Sequence, residues 1–319
     1  MASSAEKMTE AGAWTAARMA ARIVRFADLA PCYNAFIDCR TPGSEAKENF
    51  TIIGPGVSEN PAQHVHIAER HGVNIGGARQ PPHCVNSQHS HDTAEVFVVH
   101  SGDWRFDLGE HGEDASVELH RGDVISLPIH MFRGFTNIGP DSGFLWAVLG
   151  GDDAGRVTWA PAVFEMARDF GLVLLENGQL IDTAAGEVVP AGLAPLAATT
   201  RAQADAMRRA TMADAAMLVS RDRAGTGETP IIAAGGHFQD DHGFTMMRLD
   251  LDPGAGLPAG RVDGVEIIFV HRGFLRVAWE GEHVMLGEGD TMTVPTGLVR
   301  SLASADGVVG FIVRGPATA

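Results

Sequence analysis

Beyond residue 22 the chain alternates short apolar segments with turn residues. ARIVRF, FTIIGPG and HVHIAER come first, the last two separated by VSENPAQ. Short extended segments at regular spacing, with Gly, Pro, Asn and Asp between them, predict a β-sandwich or barrel. Trp104, Phe106 and Leu108 alternate along one such segment and are candidates for its interior face. The pattern changes near residue 156. PAVFEMARDF (161–170) predicts a short helix with proline in its first position. VLLENGQLID places Asn177-Gly178 between two apolar runs, the signal of a two-residue hairpin. Residues 187–199 are dominated by Pro, Ala and Gly, as in a surface connection, and 201–216 reads as one helix capped by Thr200.

After the connection the first pattern returns. EVFVVHSG at Glu95–Gly102 aligns with EIIFVHRG at Glu266–Gly273, and GDVISLPIHMFRGFTN at Gly122 aligns with GDTMTVPTGLVRSLAS at Gly289. The gap between the two blocks shortens in the second copy, which a shorter hairpin absorbs. A repeat of this size implies two barrels on one plan. The expected division is a tail at 1–22, a first barrel at 23–155, a connector at 156–225 and a second barrel at 226–319.

A length of 319 residues suits two separate cores, and 45% hydrophobic with 20% charged residues describes an ordinary globular protein. The formal net charge of −16 would repel nucleic acid and anionic membrane, so neither is an expected partner. Three cysteines (Cys32, Cys39, Cys84) make no disulfide framework and no zinc pattern; Cys84, five residues before His89, reads as a buried inert thiol, set against a thiol near the site. The Ala-rich start lacks the apolar core of a signal peptide, and no run is long enough to span a bilayer, so a cytoplasmic location is expected.

The candidate chemistry lies in QHSHDTAEVFVVHSG. On an extended strand residues two apart share a face, so His89, His91 and Glu95 can converge on one point. Two imidazoles and a carboxylate with open positions suit one divalent transition metal: Fe, Mn, Ni or Zn. His64 and His66 also share a strand face, though a packing or contact role is the plainer reading there. His100 and His271 fall on the opposite face from Glu95 and Glu266. No phosphate-cradling glycine loop and no nucleophile elbow is present.

These blocks resemble the two motifs of the cupin superfamily, G-x5-HxH-x3,4-E-x6-G and G-x5-PxG-x2-H-x3-N. The resemblance covers most of residues 60–150 and 230–315 and implies an all-β chain: two double-stranded β-helix (jelly-roll) barrels with a short helical connector. It departs from the motifs at three places in the first copy, where His83 and His130 replace glycines and Arg133 replaces the fourth-ligand histidine. In the second copy Gly260 and Val262 stand at the histidine positions, so no metal is expected there, and Arg300 matches Arg133.

Glu and Arg thus occur together in both copies. Either Arg133 pairs with Glu95 inside the barrel, supplying the positive charge a metal would bring, or it grips the carboxylate of a substrate beside the metal. His130, three residues before Arg133, is a second candidate substrate contact, set against a solvent-facing turn residue. The resemblance implies a metal-dependent bicupin enzyme. The reading favoured is an oxygenase acting on a small anionic organic acid, aromatic or enolic. The alternatives are a cupin isomerase, decarboxylase or lyase, and a non-catalytic anion-binding protein with an Arg-Glu pair in place of metal. Strand material before the first motif beyond one barrel's needs predicts a homodimer.

Overall fold

The computed structural model describes residues 13–315. They form two compact units, one of residues 30–223 and one combining residues 13–29 with 224–315. Each unit is built around two main sheets of mostly antiparallel strands; a separate two-stranded hairpin in the first unit and four short α-helices are added to them. This is the all-β, two-barrel architecture expected from the repeat.

In the first unit a seven-stranded sheet runs in the order Val219–Ser220, Val124–Leu127, Glu95–Ser101, Gly143–Gly150, Val73–Gln80, Glu48–Ile53, Val65–Ile67. A five-stranded sheet runs Val157–Trp159, Val85–His91, Arg133–Asn137, Trp104–Leu108, Ala115–Leu119. Phe97, Val99, Trp104, Phe106, Leu108, Phe135 and Leu145 from the two sheets form one buried cluster. The alternation of Trp104, Phe106 and Leu108 follows from the pleat, which sends every second side chain inward.

The second unit repeats the plan with a six-stranded and a four-stranded sheet. Its hairpin Leu275–Trp279/Glu282–Leu286 turns through Glu280-Gly281, both with positive φ, as a two-residue type I′ turn needs. The matching hairpin of the first unit has a six-residue loop, 109–114, between Leu108 and Ala115. That difference accounts for the shorter gap in the second copy.

The chain's segments are shared out differently from the linear division. Ile23–Val24, expected in the first barrel, pairs instead with Thr291 and Met292 of the second. The helix Ala16–Ala20 just before it buries Met19 in the second barrel's core. The rest of the expected tail, residues 1–12, lies outside the described residues. At the other end of the connector, Val219–Ser220 extends the first barrel's sheet through Val124 and Ile125, and Ala215 is buried in that core. Burial of these apolar side chains, worth about 25 cal/mol per Å², decides where each segment docks.

Pro161–Asp169 is helical with its proline in the first turn, as expected. The hairpin around Asn177-Gly178 also forms, but Leu175 and Gln179 close a three-residue loop with Gly178 left-handed, rather than a two-residue one. The helix expected over 201–216 is broken into Arg201–Asp205 and Met212–Met217. Two capping boxes, Thr200 with Gln203 and Thr211 with Asp214, start the two pieces. Between them Arg208 donates its backbone N–H to the His130 carbonyl, which a continuous helix would forbid.

Candidate metal centre

His89 and His91 end the strand Val85–His91, and Glu95 begins the next, Glu95–Ser101. The tight link between those strands folds the carboxylate back over the two imidazoles. One donor atom from each of the three residues lies within 4.8 Å of the other two. All three side chains are buried, with His91 Nε2 3.6 Å from Glu95 Oε1.

The tautomer of His89 follows from its neighbours. Its Nδ1 lies 2.7 Å from the Ser87 carbonyl and 3.3 Å from Asn86 Nδ2. A carbonyl at the shorter distance requires the proton on Nδ1, which leaves the Nε2 lone pair available as a ligand. Asn86 is held in place because its Oδ1 accepts from the buried Lys47 ammonium at 3.1 Å. Lys47 in turn pairs with buried Asp38, whose other oxygen accepts from the Ser87 N–H. Burial, reinforced by the Arg133 charge, pushes His89 down to about 3. The same causes hold His91 well below its ordinary value. Both imidazoles are therefore neutral at ordinary pH, the form that ligates metal.

Arg133 is paired across the sheet with His89 and has no exposed surface. One guanidinium nitrogen donates to Glu95 Oε2 at 3.0 Å and another to the Met131 carbonyl at 3.2 Å. Burial pushes the Glu95 carboxyl up, and the neighbouring guanidinium opposes that shift. The guanidinium keeps its proton at any ordinary pH, so Glu95 is held as a carboxylate.

The three donors face a cavity of about 70 Å³, room for a few waters or one small organic molecule. Phe36, Phe50, Phe97, Phe135 and Trp159 line it together with Asn49, Thr51, Gln63, Asn74 and Asn86. Trp159 packs tilted against the His89 ring, with centroids 5.4 Å apart, and donates its indole N–H to buried Glu59 at 2.6 Å. Neither sequence-derived substrate contact is on this wall. Arg133 is spent on Glu95 from behind it. His130 is an exposed turn residue with a left-handed backbone, φ 57°. Cys84 is buried and off the cavity, as an inert thiol should be.

Sequence reasoning missed Trp159, Asn49, Thr51, Gln63 and Asn86. Most lie on strands outside the motifs and reach the cavity through long-range pairing. One signal was present: Asn49 and Thr51 are polar at alternate positions of a strand that continues into Ile52 and Ile53.

The second barrel provides an internal control. Gly260 pairs with Arg300 as His89 pairs with Arg133, which fixes the equivalence of the two positions. Arg300 grips both oxygens of Glu266, at 2.8 and 2.7 Å. Arg314, whose strand partner is Glu266, adds a contact of 3.0 Å and also pairs with Glu228. The residue opposite Glu95 in the first barrel is Leu149, a cavity-lining side chain. Two arginines thus satisfy the second barrel's carboxylate. In the first, one oxygen of Glu95 is left facing two neutral imidazoles. Those residues fit a divalent metal in the first barrel and not in the second.

No family model matches the chain, and no curated protein sequence matches it. Solved structures do. An oxalate decarboxylase studied for substrate binding and a reaction specificity switch aligns at 12% identity over 97% of this chain and 79% of its own, with a TM-score of 0.57. Oxalate decarboxylase from Bacillus subtilis at pH 4.6 aligns at 12% identity over 96% and 78%, with a TM-score of 0.56. A further structure of the Bacillus subtilis enzyme, described for its Mn(II) centres, gives 12%, 97% and 79% with a TM-score of 0.55. Identity at this level speaks for the fold alone. The chain therefore shares the two-barrel fold of these structures, and its duplicated motifs resemble those of the cupin superfamily.

Proposed function

We propose that His89, His91 and Glu95 hold one divalent transition metal (Fe, Mn, Ni or Zn) in the first barrel, and that the chain is a metal-dependent enzyme acting on a small anionic organic acid. The observation that carries this reading is the contrast between the two glutamates. Glu266 has both oxygens taken by arginine, whereas Glu95 turns Oε1 toward His91 and into a donor set that no arginine completes.

The charge of the site supports the anionic substrate. Glu95 and Arg133 cancel one another, so a divalent cation leaves a buried excess of two positive charges, which an anion would offset. Among the lining residues are no lysine and no arginine. The ion itself is therefore the group that attracts the acid, and Arg133 acts by fixing the Glu95 carboxylate. Such an ion, when bound, supplies Lewis-acid or redox chemistry at its open positions. The protein's own part is to keep both imidazoles neutral, to orient His89 through Ser87 and to wall the cavity with aromatic rings that exclude bulk water.

Among reactions, an oxygenase suits a small cavity with aromatic rings in its wall and open ligand positions. Decarboxylation is the second reading, favoured by the likeness to structures named oxalate decarboxylase. The two separate cleanly in the metal-reconstituted protein given a panel of small aromatic, enolic and dicarboxylic acids. An oxygenase consumes O2 with the acid, whereas a decarboxylase releases CO2 with no O2 consumed. His89→Ala/His91→Ala abolishes either activity. Turnover of none of the acids with Fe, Mn, Ni or Zn would leave the anion-binding alternative in possession.

A further inference from the structure

The cavity's amide side chains differ in one respect. Asn74 is fully committed, accepting from the Gly56 N–H at 2.9 Å and donating to the Gly151 carbonyl at 2.8 Å. Asn86 is committed to Lys47 and lies against His89. Asn49 is only 7% exposed, lines the cavity, and its Nδ2 is buried with no hydrogen-bond partner. Gln63 shows the complementary feature. Its Nε2 is tethered to Thr51 Oγ1 at 2.7 Å, while its buried Oε1 has no partner. Thr51 lies two residues from Asn49 on the strand Glu48–Ile53, so the two share a face.

A buried amide left unpaired costs stability, and such groups persist where a ligand is to complete them. Asn86 shows what the protein does when an amide near this site is structural: it ties it to a charged partner. We infer that Asn49 is a substrate-positioning hydrogen-bond donor, with Gln63 as the neighbouring acceptor, and that the acid taken by this site carries a second oxygen function, a hydroxyl or carbonyl, beyond its carboxylate. The inference rests on the metal reading above, since the ion binds the carboxylate and the amides select among the acids that reach it. A site that hydrogen-bonds a substrate oxygen rejects the analogue lacking it far better than an apolar site can. Hydroxy and keto acids are therefore the class favoured over simple fatty acids of the same length.

The test uses the full chain loaded with Mn2+ and three matched pairs of probes: glycolate with acetate, 3-hydroxypropionate with propionate, and 4-hydroxybutyrate with butyrate. Affinities come from titration calorimetry, and Mn2+ binding is measured first on each variant. The wild type is expected to prefer at least one hydroxy acid over its parent by about five- to tenfold, the worth of one hydrogen bond. Asn49→Leu is expected to bind Mn2+ as the wild type does and to lose that preference. Asn49→Ala carries the same test should leucine overfill the wall. A preference that survives both substitutions, or no preference in any pair, overturns the inference while leaving the metal site intact. A wild type that binds no Mn2+ overturns the metal reading itself, and this inference with it.

Discussion

His83 and His130 adopt left-handed backbone conformations, with φ of 64° and 57°. The matching turns of the second barrel carry Gly254 and Gly297, at 77° and 82°. A side chain in that region costs roughly 1 kcal/mol. His130→Gly, and separately His83→Gly, should raise stability by a few tenths to about 1 kcal/mol, glycine's greater unfolded-state entropy offsetting part of the gain. Urea midpoints read the change, and a loss at both positions would contradict this account of the turns. The two arginines make a sharper comparison. Arg133→Met leaves Glu95 buried without its ion-pair partner, a change that costs about 3–5 kcal/mol. Added Mn2+ should restore part of that loss. Arg300→Met leaves Glu266 still held by Arg314 at 3.0 Å, so its loss should be smaller and indifferent to Mn2+. Equal losses, unmoved by Mn2+, would contradict the assignment of different roles to the two barrels. The His89–His91 pair was legible in the sequence because strand geometry fixes the face of residues two apart, whereas Glu95 joins it from the start of the next strand. Arg314 and Trp159 were not, because nothing local reveals which residue a distant strand will set opposite a glutamate or beside a histidine.

At the scale of elements, Glu59 clips together segments that the sequence leaves far apart. It accepts from the Ile37 N–H at 2.6 Å and from the Trp159 indole at 2.6 Å, and its backbone pairs with Ala35 and Leu180. Burial pushes its carboxyl up to about 8, against the pull of those hydrogen bonds. An unfolded glutamate titrates near ~4.3. Between those values the folded chain keeps a proton that the unfolded chain has released. Stability therefore falls as pH rises through this window and the effect ends above it. Glu59→Gln should flatten that part of the profile. Denaturant midpoints of both proteins from about pH 5 to about pH 8.5 measure the difference, and parallel profiles would contradict it. The broken helix at 201–216 teaches a related lesson. Its composition favours helix throughout, but Thr211 offers a second N-cap and the Arg208 backbone a partner in His130. Tertiary contacts then override propensity. Strand patterning survived better because each inward face was buried whatever the register of its neighbours.

For the molecule as a whole, the repeat predicted two barrels on one plan, since the repeated segments sit in the motifs. It did not predict that residues 16–24 serve the second barrel and 212–220 the first, because two-residue strands and single buried side chains leave little trace in a sequence pattern. Among the described residues no helix is long and apolar enough to cross a membrane. The short strand Val65–Ile67 ends the seven-stranded sheet with one side unpaired within the sheet. On that open edge we propose a homodimer. Sedimentation at micromolar concentration should show twice the chain mass, and a strict monomer would remove the idea. The central claim, that one barrel holds a metal and the other replaces it with arginine, is tested most directly by metal stoichiometry. Protein purified without chelator and reconstituted with Mn2+ should contain about one ion per chain, and His89→Ala/His91→Ala should contain none. Two ions per chain, none, or equal content in parent and variant would contradict it.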